Sequence, residues 1–384
     1  MHDMGSCGFA LSDMGIVCAL GADEETAWSR LNRGDASGMK TLGGLSGGES
    51  TVFGFAEGMP RPESIGELCD LPIPRIGMLV DAAMAQIAGA LEAAKAEFGA
   101  GRVGAVVGTS NSTMEEFTVN PDEIDMSWPA RHIKAKWGIE GPCWSVSTAC
   151  SSSAKTFASA RRLIERGICD VVVVGGADAY TRTVVEGFHS LEALSRGLTR
   201  PLAPDRDGIN LGEGAAFFLM RRSGDAARAG EPVVELVGVG ESSDAYHQTA
   251  PDPSGAGAEA AMRACLDDAG LRPGDVDFVN LHGTGTQQND EMECAAVRRV
   301  FGGEEPRDGE PLSSGLAVRA FSTKGLTGHC LGAAGAVEAA LCWMELRRTP
   351  GVCLSNSFAF GGSNATIALS SRGAKSAAPS PNSV

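Results

Sequence analysis

The stretch "VSTACSSSAKTFASARRLIERG" (146–167) has a counterpart later in the chain, "FSTKGLTGHCLGAAGAVEAALCWMEL" (321–346). Each opens on Ser-Thr, passes through small residues, and enters an alanine-rich segment with helical spacing. Each is preceded by the same arrangement. "LVDAAMAQIAGALEAAKAEFG" (79–99) reads as a helix leading into "RVGAVVGTSNS" (102–112), a short apolar strand with a Gly/Thr loop. "EAAMRACLDDAGLRPGD" (259–275) leads likewise into "VDFVNLHGTGT" (276–286). Each is followed by a Gly-rich turn and an apolar strand, "GEGAAFFLM" (212–220) and "FGGSNATIAL" (360–369). Three correspondences in one order predict an internal duplication. Strands such as "DVVVVGGAD" (170–178) are apolar throughout, as strands covered on both faces are. The expected architecture is therefore two α/β halves, 1–222 and 233–371. A polar link, "RSGDAARAGEP" (222–232), joins them, and a Ser/Pro/Ala-rich tail (372–384) is expected to be disordered.

The 384 residues suffice for one large or two medium domains with a full core. A net charge of −16 argues against nucleic acid or an anionic membrane as the principal partner. No run approaches 18 uninterrupted apolar residues, so no membrane span is expected. The 11 cysteines form no C-x-x-C pair, which fits neither a disulfide framework nor a zinc ribbon and predicts a reducing, cytoplasmic setting. A dinucleotide reading lacks its G-x-G-x-x-G after a strand.

Six histidines leave few choices for chemistry. His282 in "LHGTGT" and His329 in "STKGLTGHCLGAAG" sit at marked junctions of the second half, and Lys324 opens the latter. A pseudo-twofold relating the halves would bring them to Cys150. Taken singly, Cys150 reads as core filler, the histidines as hydrogen-bonded structural residues, and Lys324 as a surface charge. Jointly they predict a nucleophile at a helix mouth, where unpaired N–H groups favour thiolate, facing imidazoles suited to proton transfer. Ser151, Ser152 and Ser153 are expected to leave the thiol open. Gly283 and Gly285 are expected to admit a substrate arm, and Thr284 and Thr286 to donate hydroxyls to it.

"TACSSS", "HGTGT…ND", "KGLTGH…GAAG" and "NSFAFGGSN", with "RPLAPDRDGINLGEGAA" (200–216), resemble the motifs of elongating β-ketoacyl-acyl-carrier-protein synthases. The resemblance runs from about residue 9 to 370. It implies a thiolase-like fold, with duplicated halves in a five-layered α-β-α-β-α sandwich, and an acyltransferase activity. Cys150 would carry the acyl group. His282 and His329 would stabilise the enolate formed as malonyl carrier protein loses carbon dioxide. The backbone N–H groups of Cys150 and Phe360 would form the oxyanion hole, with Phe360 as a gate. Lys324 would fix the surroundings of the second histidine and pair with Glu338, and Thr284 and Thr286 would hold phosphopantetheine. No metal or other cofactor is implied. The partners implied are acyl carrier protein and a second subunit, giving a homodimer or a heterodimer with a chain-length-factor-like protein.

"GVGESSDAYHQTAPDPSG" (238–255), "EGFHSLEALS" (186–195) and "LSNSFAFGGSNA" (354–365) look closest to aryl polyene ketosynthases. Ala359 stands where most relatives have glycine. Between "CWMELRRTPGV" and "CLSNSFAFGG" relatives carry a longer segment. A thiolase would show a second cysteine where "NSFAFGGSN" stands. A non-catalytic chain-length factor, the competing reading, would lack the nucleophile.

Overall fold

The computed structural model describes residues 8–60, 73–114, 124–226 and 233–372. Residues 227–232 of the link and 373–384 of the tail lie outside the described residues.

The first half supplies β1 (Phe9–Val17), α1 (Glu24–Arg33), β2 (Met39–Leu42), β3 (Thr51–Gly54), α2 (Arg75–Phe98), β4 (Val103–Gly108) and α3 (Trp128–Lys136). It continues with β5 (Cys143–Val146), α4 (Ser152–Glu165), β6 (Val171–Asp178), α5 (Arg182–Ser190), β7 (Leu211–Gly212) and β8 (Gly214–Arg222). The second half supplies β9 (Val234–Ser243), α6 (Ala256–Ala269), β10 (Phe278–Asn280), α7 (Gln287–Phe301), β11 (Arg319–Phe321), α8 (Ala334–Arg348), β12 (Val352–Phe358) and β13 (Ser363–Ser370).

The duplication is explicit in the strand order. One leaf reads β5-β4-β6-β8-β1 and the other β11-β10-β12-β13-β9. In each, the second strand in chain order (β4, β10) pairs in parallel with the third and fourth, and the fifth (β8, β13) runs antiparallel to both its neighbours. The leaves join edge to edge, Phe9 facing Leu236 and Leu11 facing Val234. They thus form one ten-stranded sheet.

Side-chain alternation along the strands builds the layers. Val103, Ala105 and Val107 of β4 join Phe217 and Leu219 of β8 in a core with Leu79, Val80, Met84 and Ile87 of α2. The opposite face, Val106, Val172, Val174, Phe218 and Met220, meets Phe157 of α4 and Val337, Leu341 and Trp343 of α8. Phe278, Cys353, Ile367 and Leu369 cover those central helices from the second leaf. Val279, Leu354 and Ala368 point outward to Met262 and Cys265 of α6 and to Val297 of α7. This is the five-layered α-β-α-β-α sandwich.

By length and composition, α2 is apolar enough to cross a membrane; here its apolar side chains are the first outer core. The short connection after α8 spans only Thr349–Gly351, and β12 enters the sheet directly between β10 and β13.

Candidate active site

Cys150 lies in the elbow between β5 and α4. Ala149 takes a left-handed conformation, φ 51°, which costs a non-glycine residue on the order of 1–2 kcal/mol. Neighbouring serines hold it there. Ser152 Oγ accepts from Thr148 N at 2.8 Å and donates to Ala149 O at 2.6 Å, and Ser151 Oγ donates to Thr148 O at 2.9 Å. Ser153 Oγ accepts from Ala336 N at 2.9 Å, tying α4 to α8. These serines are fully buried. They shape the turn and the helix contact; they do not open space around the thiol, as the sequence had suggested. Cys150 itself is only 7% exposed.

Burial pushes the Cys150 thiol up to about 12. The Lys324 charge and the N–H groups of Phe360 and of Cys150 itself pull it down, while Asp178 adds to the rise. Desolvation therefore outweighs the helix mouth, and the resting group is a thiol rather than the expected thiolate. The two backbone donors at the sulfur are those an oxyanion hole would use.

His282 follows β10 in the loop Leu281–Thr286. Glu293, on the inner face of α7, accepts from the backbone N–H of His282 and of Gly283, each at 2.8 Å. Asn356 of β12 donates to the same carboxylate at 3.0 Å, and its own oxygen accepts from Thr366 at 2.9 Å. Burial still carries Glu293 up to about 7. Asp290 accepts from Gly285 N at 3.2 Å and Leu202 N at 2.8 Å. The loop glycines are required by close protein neighbours. A Cβ at Gly283 would lie 2.6 Å from Ser322 Cβ, and one at Gly285 would lie 2.2 Å from Thr199 Oγ1.

His329 is held by its backbone on the small sheet that β7 forms with β3. Its N–H donates to Asn210 O at 2.8 Å, and its carbonyl accepts from Gly212 N at 3.0 Å. The rings of His282 and His329 meet edge to face, 5.1 Å between centroids at 83°. Ligand atoms of Cys150, His282 and His329 all lie within 4.8 Å of one another. Desolvation, then the Lys324 charge, holds both imidazoles well below the ordinary histidine value.

Lys324 is completely buried and ion-paired with Glu338 of α8. The sequence tied Lys324 to His329, but its Nζ lies 3.4 Å from Nδ1 of His282. An ammonium only donates, so Nδ1 accepts and the neutral ring carries its proton on Nε2. Both ring nitrogens of His329 lack a protein partner among the described residues.

The three groups open on a cavity of about 730 Å³, also lined by Thr284, Thr286, Phe358, Phe360 and Phe188. The two threonine hydroxyls lie 2.9 Å apart. Phe360 stacks on Phe188 at 5.5 Å and 18°. Lys324 and Glu338 stand behind the histidines and do not line the cavity. Sequence reasoning missed Glu293, Asn356 and Asn210. Glu293 left a signal, a second carboxylate one turn after Asp290 on the buried face of the helix that follows "HGTGT".

Two family models match the chain: "Beta-ketoacyl synthase, N-terminal domain" over residues 75–226 and "Beta-ketoacyl synthase, C-terminal domain" over residues 233–350. Nodulation protein E of Rhizobium sp. (strain N33) is 30% identical over 406 residues, covering 94% of this chain and 98% of that protein. The 3-oxoacyl-[acyl-carrier-protein] synthase 2 of Staphylococcus aureus is 28% identical over 371 residues, 88% of this chain and 87% of that one. Among solved structures, the ketosynthase ApeO of Xenorhabdus doucetiae, in complex with its chain length factor ApeC, superposes with a TM-score of 0.82. It is 35% identical, with 95% of this chain and 98% of that chain covered.

Proposed function

The chain belongs to the β-ketoacyl synthase family of condensing enzymes, and from that premise we propose that Cys150, His282 and His329 carry out its decarboxylative Claisen condensation. The observation that supports this most directly is the convergence of one sulfur and two imidazoles within 4.8 Å at the cavity wall.

In the first half-reaction the Cys150 sulfur attacks the carbonyl of an acyl thioester. Its proton passes to the neutral ring of His329, whose nitrogens are free to accept it. The oxyanion is held by the N–H groups of Cys150 and Phe360. Collapse releases the carrier thiol, which takes the proton, and leaves acyl-Cys150.

In the second, a malonyl thioester occupies the cavity. Its C–CO₂ bond breaks, carbon dioxide leaves, and the electron pair delocalises onto the thioester oxygen. His282 donates Nε2–H to that oxygen, a tautomer enforced by Lys324 at Nδ1. His329, neutral again, donates a second bond. Two neutral donors match an enolate without protonating it outright, and their depressed pKa values maintain that state. The enolate carbon attacks acyl-Cys150, the carbon–sulfur bond breaks, the Cys150 thiolate that leaves takes up a proton from solvent, and a β-ketoacyl chain two carbons longer remains on the carrier. Lys324 and Glu338 act as a buried positioning pair behind His282.

We further propose that acyl carrier protein delivers both thioesters, with Thr284 and Thr286 along the pantetheine path and Phe360 gating it. The likeness to ApeO and the three stretches quoted above favour an aryl-polyene-type chain and a chain-length-factor-like second subunit. The competing reading, a non-catalytic partner subunit, has no support from the site, whose nucleophile and both histidines are in place.

Intact-protein mass spectrometry after incubation with an acyl carrier protein thioester tests the reaction. Acyl mass on the native chain but not on Cys150→Ala is the expected result. An unmodified native chain would overturn the assignment.

A further inference from the structure

A thiol and two neutral imidazoles facing one another are also a donor set for a borderline-soft cation. We propose that Cys150, His282 and His329 form a reversible Zn²⁺-binding site that closes the cavity to acylation. The proposal shares its residues with the condensation but rests on their donor chemistry.

Three observations carry it. The ligand atoms lie within 4.8 Å of one another. A tetrahedral zinc with Zn–S about 2.3 Å and Zn–N about 2.0 Å needs ligand separations of roughly 3.3–3.6 Å. Closing that difference takes about an ångström, within reach of side-chain rotation. Second, His329 is 1% exposed and neither ring nitrogen has a protein partner among the described residues. Such an orphaned buried acceptor calls for a ligand. Lys324 occupies Nδ1 of His282, so Nε2 is the nitrogen left for the ion once its proton has moved. Third, three protein donors beside a cavity of about 730 Å³ leave a fourth position for water, the open arrangement of three-ligand zinc sites.

The exchange balances. Zn²⁺ enters, the Cys150 S–H bond breaks with release of one proton, and sulfur and two ring nitrogens bind the ion. His282 gives its Nε2 proton to Nδ1 by ring tautomerisation and yields the Lys324 contact. Lys324 retains Glu338 as its counter-ion. Bound zinc lowers the electron density on sulfur and fills the place an incoming thioester carbonyl needs, so occupancy and acylation exclude each other.

Titration of the full-length protein with Co²⁺ as a spectroscopic stand-in tests the site. One equivalent should give a sulfur-to-cobalt charge-transfer band and intense tetrahedral d–d bands, displaced by Zn²⁺. Cys150→Ser should abolish the charge-transfer band. His282→Ala and His329→Ala should each weaken binding at least tenfold, with circular dichroism confirming the fold. Zn²⁺ should also slow alkylation of Cys150 by iodoacetamide, and a chelator should reverse this. Absence of tetrahedral bands, or a charge-transfer band that persists in Cys150→Ser, would overturn the proposal. The two readings separate cleanly. A chain that is acylated but binds no cobalt refutes only the metal site, and one that binds cobalt without being acylated refutes only the condensation.

Discussion

The two halves share a strand order but not an active-site task. In each, the residue three before the central helix is non-glycine and left-handed: Ala149 before α4 and Leu331 before α8, both with φ 51°. The nucleophile follows in the first half, and Gly332 takes the matching place in the second. There a Cβ would lie 2.5 Å from Ser110 N and 2.7 Å from Asp178 Oδ2. The second half instead carries the extra segment Lys324–Cys330 between its Ser-Thr and that elbow, and this segment supplies Lys324 and His329. One copy thus keeps the bare elbow and offers a sulfur. The other lengthens it and reaches across the axis with bases. Duplication supplied two facing helix starts, and one local insertion made them chemically different.

The sharpest way to break this division of labour is to remove each side in turn. Cys150→Ala should reduce acyl transfer to background. His282→Ala should lower condensation by about 10²–10⁴-fold while acyl-Cys150 still accumulates, whereas His329→Ala should slow both acylation and condensation. Single-turnover assays with labelled acyl and malonyl carriers separate the two. If His282→Ala lost acylation and His329→Ala kept it, the assigned roles would be reversed.

Next in size is the buried pair behind the histidines. Glu338→Gln leaves the Lys324 ammonium without its counter-ion and should cost about 3–5 kcal/mol, read from denaturant unfolding. A smaller loss should follow from Gly335→Ala, where the new Cβ would sit 2.8 Å from Ala154 N and 2.9 Å from its Cβ. Parting α4 from α8 should cost about 1–3 kcal/mol, and no change would mean that the halves tolerate a looser seam.

The thiol gives a test with a sign. Its folded value, about 12, is raised above the ordinary 9.0. The stability it contributes is therefore complete below pH 9 and lost as pH climbs from there toward 12. Iodoacetamide should accordingly modify Cys150 about tenfold faster per pH unit between about pH 7 and 10, without a plateau. An inflection near neutrality would mean that the helix mouth prevails over burial. The smallest effect belongs to Ala359, which sits in extended backbone at φ −105°. Ala359→Gly should relax the approach to Phe360 and shift preference between saturated and polyene primers by a few-fold in kcat/KM.

Much of this was legible because it is written locally. Repeated Ser-Thr, Gly/Thr loops and alanine-rich helices mark equivalent turns, and small residues at 150–154 and 332–336 announce a close helix crossing. The clamps were not. Asn356 reaches the Glu293 side chain and the Asn210 carbonyl reaches the His329 N–H across long stretches of sequence, while Glu293 holds N–H groups ten and eleven residues before it, and none of these contacts has a periodicity to betray it. The thiol's state was misjudged for a related reason. A helix mouth is visible in a sequence, whereas the desolvation opposing it comes from elements scattered over the whole chain. The Gly/Thr loop of "VDFVNLHGTGT" falls where its pattern put it, after a strand of only Phe278–Asn280.

The joining of the leaves through Phe9–Leu11 and Val234–Leu236 has a consequence during synthesis. β1 occupies the middle of the finished sheet, and its neighbour β9 is made more than two hundred residues after it. Until then one edge of the nascent first half lies bare, an invitation to wrong partners. An isolated first half should therefore self-associate, and the second half acts as its own cover.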